Sequence, residues 1–185
     1  QPIFISDEDA LQKIAETFGP EVAASMKYRA TETMQSDTGI RYGDRTSTHW
    51  CGYEVIDSSA NCVRADFNVC KTTTTHAWTS TWVGLGNSDT GLIQTGYCMR
   101  QNPPYSYFRA WYELLPNAPV YITDFAIHIG DDLGATVQYE GSGSYYLCIF
   151  NETTGYYFAS DFNYTPSPVC AEWIVETQET WKIGT

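Results

Sequence analysis

The chain has 185 residues, enough for one domain with a substantial core and too few for two of ordinary size. Its formal net charge is -12, and only ten Lys and Arg are spread along it, which excludes a nucleic-acid groove or an anionic membrane surface as the expected partner. No run approaches the ~18 consecutive apolar residues of a membrane span, and no basic-then-apolar leader opens the chain, so the sequence reads as mature and soluble.

Residues 1–45 differ in character from the rest and are expected to form a helical or irregular extension. Ser6 followed by Asp9 resembles a capping box, and Leu11, Ile14, Ala15 and Phe18 fall at helical spacing before Gly19-Pro20, which predicts a helix over 7–18. Val22 and Met26 suggest a second helical stretch over 21–30. The opening Ile3-Phe4-Ile5 is a short apolar run suited to adding as a strand to a neighbouring molecule's open sheet edge, the alternative being a disordered or locally docked terminus.

From residue 46 to 185 the hydrophobic period changes to two. Strands are expected at about 49–56, 62–69, 77–85, 91–98, 105–115, 119–129, 134–140, 144–151, 155–161 and 170–178, separated by turns such as Asn102-Pro103-Pro104, Gly130-Asp131-Asp132 and Gly141-Ser142-Gly143. Ten short strands at this spacing predict an all-β fold, an antiparallel two-sheet β-sandwich with a short N-terminal helical segment.

Strand phase sorts the faces. In 62–69, Val63, Ala65, Phe67 and Val69 point one way and Arg64, Asp66 and Asn68 the other. In 105–115, Phe108, Ala110, Tyr112 and Leu114 suit the core, leaving Tyr105, Tyr107, Arg109, Trp111 and Glu113 on a face whose mixture of aromatics and charge suits a binding groove. Leu92-Ile93-Gln94-Thr95-Gly96 and Ala171-Glu172-Trp173-Ile174-Val175-Glu176 each set polar side chains in an apolar strand, where a polar group needs hydrogen-bond partners or a chemical role. A carboxyl group facing a primary amide can hold a water and polarise a carbonyl, as an acyl hydrolase requires.

The six cysteines (Cys51, Cys62, Cys70, Cys98, Cys148, Cys170) contain no CxxC pair, and His49, His76 and His128 are scattered singly, so zinc spacing is absent and disulfides are the expected state. Asn151-Glu152-Thr153 and Asn163-Tyr164-Thr165 are glycosylation acceptor sequences at expected strand ends. Together these point to a secreted, extracellular protein. A serine hydrolase is disfavoured because no GxSxG string occurs. A glycosidase using Glu113 and Glu176 remains a lesser alternative, and paired thiols argue against cysteine catalysis.

Residues from about 48 to 178 resemble the fungal glutamic peptidases, or eqolisins, through Thr48-His49-Trp50-Cys51-Gly52-Tyr53, Thr81-Trp82-Val83-Gly84, Leu92-Ile93-Gln94-Thr95-Gly96, Ala110-Trp111-Tyr112-Glu113 with Pro116, Thr153-Thr154-Gly155, and Ala171-Glu172-Trp173-Ile174-Val175-Glu176. The resemblance implies a sandwich of two bent antiparallel sheets, with Gln94 and Glu176 as the catalytic pair, Trp50, Trp82, Trp111 and Glu113 lining or edging the substrate cleft, a polypeptide substrate, and neither metal nor cofactor. It also implies an acidic working range. Two departures stand out: Gly86 occupies a position where family members usually carry Asp, and family chains continue past the catalytic Glu to further strands, whereas this sequence stops at Thr185. The N-terminal residues, a partner chain or an open edge are therefore expected in place of those strands. The two function readings are a secreted acid endopeptidase and a catalytically inactive secreted sandwich that binds or assembles.

Overall fold

The computed structural model describes residues 3–4, 41–42, 50–70, 78–87, 90–102, 105–165 and 167–177. The described residues form twelve strands and no helix: β1 (Ile3–Phe4), β2 (Arg41–Tyr42), β3 (Trp50–Ile56), β4 (Cys62–Asn68), β5 (Trp78–Asn87), β6 (Gly91–Asn102), β7 (Tyr105–Leu114), β8 (Val120–Tyr121), β9 (Asp132–Gly141), β10 (Ser144–Asn151), β11 (Tyr157–Asn163) and β12 (Cys170–Thr177). They build two sheets, one in the order β1-β11-β10-β9-β4 and the other β2-β3-β12-β5-β6-β7-β8, and neighbouring strands run antiparallel throughout.

The main core lies between the sheets. Val63, Leu133, Ala135, Val137, Tyr145, Leu147, Ile149 and Phe162 from the five-stranded sheet meet Val83, Leu85, Ile93, Tyr97, Ala110, Tyr112 and Ala171 from the seven-stranded one. Alternate residues of a strand share a face, so each strand spends one half of its side chains here, and each fully buried Leu, Ile or Val contributes about 1.5–3 kcal/mol. The phases expected in β4 and β7 are observed: Val63 and Ala110 are buried, Ala65, Phe67, Phe108 and Leu114 pack against the core, and Tyr107 and Arg109 face outward. Tyr112 stacks on Phe158 with ring centroids 5.3 Å apart, joining the two layers.

Three expectations need correction. The strand expected over 119–129 is only Val120–Tyr121; beyond it Asp124 takes a left-handed conformation (φ 59) and the chain leaves the ladder. Phe125 and Ile127 still alternate inward and are buried, but Asn151 Nδ2 and Asp131, not a neighbouring strand, satisfy the backbone there, at Ala126 O and His128 N. All six cysteines are described and no disulfide joins them: Cys51, Cys62 and Cys70 are exposed, and Cys98, Cys148 and Cys170 are buried. No two cysteines lie opposite one another on any ladder.

Asn151 is no glycan acceptor in this fold. It is fully buried, its amide donates to Ala126 O at 3.0 Å and Asp131 Oδ2 at 2.7 Å, and its carbonyl accepts from the backbone N–H groups of Thr153 and Thr154. Asn163 is exposed at the end of β11. Ile3–Phe4 docks within its own chain, opposite Asp161 and Ser160, while Arg41–Tyr42 pairs with Ile56 and Val55. The first 45 residues thus place a short edge strand on each sheet. The predicted helices over 7–18 and 21–30, together with His49, His76 and position 178, lie outside the described residues.

Candidate active site

The outward face of the seven-stranded sheet carries the chemistry, and ladder register sorts its residues into rungs. One rung runs Glu54, Glu172, Gly84, Gln94, Glu113; the next runs Gly52, Ile174, Trp82, Gly96, Trp111, Tyr121; a third runs Trp50, Glu176, Ser80, Cys98, Arg109. The middle rung alternates bulk and glycine for a steric reason. A Cβ on Gly96 would come within 2.1 Å of Thr81 O and 2.7 Å of Trp82 Cα, so only glycine allows the Trp82 strand this close. Trp82, Leu92, Cys98, Trp111 and Ile174 pack together there as a second apolar cluster.

That cluster floors a cleft of ≈ 220 Å³ lined by Trp78, Ser80, Cys98, Trp111, Glu113, Pro119, Tyr121 and Glu176. Trp82 Nε1 donates to Glu176 Oε2 at 3.2 Å, fixing one carboxylate oxygen. Trp50 meets Trp82 edge-on with centroids 5.4 Å apart, and stands opposite Glu176 across the β3–β12 ladder at the cleft margin. Gln94 lies on the first rung, 6% exposed, and its Nε2 donates to Glu113 Oε2 on the neighbouring strand. The Gln94 carbonyl oxygen is buried and has no hydrogen-bond partner among the described residues. Burial raises the Glu113 carboxyl above the ordinary glutamate range, the Gln94 amide opposes that shift, and the charge of Glu176 adds to it.

The expected site residues are therefore gathered on one face, with one difference of detail. Gln94 does not meet Glu176 directly; two rungs separate them, and the link runs through Glu113, which shares the cleft with Glu176. Sequence reasoning missed Trp78, Ser80, Cys98, Pro119 and Tyr121 as cleft walls. Strand phase carried the signal for three of them, because Cys98 shares a face with Gln94, and Trp78 and Ser80 share one with Trp82.

One further group has metal-ligand types. Glu54, Cys170 and Glu172 bring ligand atoms within 4.8 Å of one another, where Glu54 and Glu172 face each other across the β3–β12 ladder. Hydrogen bonds already engage the thiol, from Cys170 Sγ to Gly86 O at 3.3 Å and to Glu172 Oε1 at 3.5 Å.

Comparison with known proteins finds relatives of this chain and of its fold. Aspergillopepsin-2 of Aspergillus niger is 31% identical over 107 residues, which is 55% of this chain and 38% of that protein, so the chain spans well under half the length of this curated relative. The crystal structure of scytalido-glutamic peptidase with a peptide-based transition-state analog superposes with a TM-score of 0.60 at 25% identity, covering 75% of this chain and 66% of that one. Aspergilloglutamic peptidase from Aspergillus niger superposes with a TM-score of 0.50 at 30% identity, over 57% of this chain and 65% of that one. The two solved structures are of glutamic peptidases by name and share the fold of this chain. Residues 48–184 match the Peptidase A4 family, and the chain belongs to that family.

Proposed function

We propose that the protein is an acid endopeptidase that hydrolyses polypeptide in the Trp111–Glu176 cleft, with Glu176 as general base and Gln94 as its amide partner. The observation that carries this reading is the bond from Trp82 Nε1 to Glu176 Oε2, which anchors one carboxylate oxygen and leaves the other to the half-buried cleft. A carboxylate so held takes a proton from a water attacking the scissile carbonyl, then returns it to the leaving amine. Gln94 has one amide hydrogen not used by Glu113 and an unpartnered carbonyl oxygen, so it is equipped to orient that water and to donate to the developing oxyanion. Its amide does not titrate, which avoids two interchangeable acids at the centre. The site requires no metal in this scheme, and the family membership and the peptide-based analog bound by scytalido-glutamic peptidase agree with a polypeptide substrate. Secretion fits an acid-active hydrolase and the exposed sequon at Asn163.

A second reading, a sandwich that binds peptide without hydrolysing it, draws on the engagement of the Gln94 amide by Glu113. Digestion of a denatured protein at about pH 3–4, the range a carboxylate base implies, decides between them. The expected result is cleavage by the parent protein and none by Glu176→Gln. Cleavage that survives this substitution removes Glu176 from the mechanism, and an inert parent protein favours the binding reading.

A further inference from the structure

Positive charge is scarce on this chain, and where it falls on the outward face is informative. Among the described side chains only Arg64, Arg100 and Arg109 are Lys or Arg. Two of the three stand on the cleft face of the seven-stranded sheet: Arg109 on β7 is opposite Cys98, and Arg100 on β6 is opposite Tyr107, so the two arginines are diagonal neighbours on adjacent strands. Diagonal side chains of this kind are about 7–8 Å apart at the backbone, within joint reach of one small anion for residues as long as arginine. Both are exposed, and neither forms an ion pair among the described residues.

The Arg109 guanidinium is positioned. Its Cζ lies 4.9 Å from the Tyr121 ring centroid and 5.2 Å from that of Tyr107, and Tyr121 and Cys98 are themselves walls of the cleft. Stacking on two rings restricts the long side chain while leaving the edge of its planar fork free, which is the geometry that receives a carboxylate. A second observation at the same place concerns donors. The indole N–H of Trp111, in the cleft wall, is buried without an acceptor among the described residues, and Trp111 is only 5% exposed. Donors and cations thus collect at this end, whereas Glu113 marks the opposite end beside Gln94.

The geometry points to a carboxylate-binding subsite at the Arg100–Arg109 end of the cleft, which takes an acidic side chain or the terminal carboxylate of a polypeptide lying across the proposed catalytic pair. This assignment rests on the proposed peptidase reading for its substrate, but its charge logic does not depend on hydrolysis. Groups facing Arg109 are Cys98 and Arg100 from β6, Tyr107 from its own strand and Tyr121 from β8, with Ser80 and Glu176 further along the same rung. Burial raises the Tyr121 phenol and the Cys98 thiol. Between pH 3 and pH 5 the ligand's own carboxyl titrates, near pH 4, and matched Glu and Gln peptides meet the same Glu176.

The test uses quenched-fluorescence peptides that differ only by Glu or Gln at successive positions, each made with a free and an amidated C-terminus, assayed at pH 3 and pH 5 on the full chain. The expected result is about tenfold higher kcat/KM for Glu than Gln at one position at pH 5, a smaller ratio at pH 3, and a ratio near one in the Arg100→Gln/Arg109→Gln double variant. If the free C-terminus supplies the carboxylate, the discrimination follows amidation instead. Arg109→Lys, which keeps charge and loses the planar stack, is expected to fall between. Equal cleavage of all matched pairs, or discrimination that survives in the double variant, overturns the subsite. If the parent cleaves nothing, the peptidase reading fails separately, and fluorescence anisotropy of the same peptides decides the subsite: tighter binding of the carboxylate forms, lost in the double variant, supports it, and equal binding sinks it.

Discussion

Glu113 links the cleft to the pH dependence of the fold. Its folded-state pKa is raised by burial and by the Glu176 charge, against the Gln94 hydrogen bond, so the native state holds this proton more tightly than the unfolded chain. The stability it contributes is complete below the unfolded value and is lost as pH rises through the folded one. Glu113→Gln is therefore expected to stabilise the protein at pH 7 by about 1 kcal/mol or less and to have little effect at pH 3, measured by thermal melts at the two values; an equal effect at both would contradict the assignment. Asn151 illustrates the opposite case of a polar group fully committed to structure. Asn151→Ala takes both donors from the 122–131 loop and the acceptor from the Thr153 and Thr154 N–H groups, leaving Asp131 buried with fewer partners, and a loss of about 3 kcal/mol in urea unfolding is expected. At this scale the sequence was readable where a polar residue interrupted an apolar strand, as at Gln94 and Glu176. It misled at Asn151, whose sequon has the same letters whether the amide is in solvent or holding a loop.

Among the elements, β5 and β6 show how closely one strand depends on its neighbour. Gly96 lets Trp82 lie in the cleft floor where its indole can reach Glu176, so Gly96→Ala is expected to damage both fold and site. A loss of about 2 kcal/mol, some 4–8 °C in Tm for a chain of this size, together with a fall in peptide cleavage is the expected outcome; a variant with parental Tm and activity would show that the strands separate easily. Alternation made β4 and β7 legible, because one face of each meets the core and the other meets solvent or cleft. The same alternation in Phe125 and Ile127 suggested a strand that is not there. Hydrophobic phase reports which side chains point inward, and it does not report what pairs with the backbone; here Asn151 and Asp131 take that part, and Asp124 has a left-handed φ no strand would hold. The edge positions of β1 and β2 were equally hidden, since a two-residue strand carries no period.

For the whole molecule, the cysteines give a direct check. Thiol titration of the native protein is expected to reach the exposed Cys51, Cys62 and Cys70 and to spare Cys148, whose burial pushes it up to about 12, with all six reacting after unfolding. Fewer than six in denaturant without reductant would show that disulfides form after all. The position of β12 has a different consequence, one of timing. This strand enters between β3 and β5, and its partner Ile56 was laid down more than a hundred residues before Cys170. During synthesis the seven-stranded sheet must wait as two pieces, with a gap where the proposed base will stand. Glu176 arrives with the strand that closes the gap, so on the proposed reading a growing chain carries Gln94, Trp82 and Trp111 without the means to cut the proteins around it until β12 has been made.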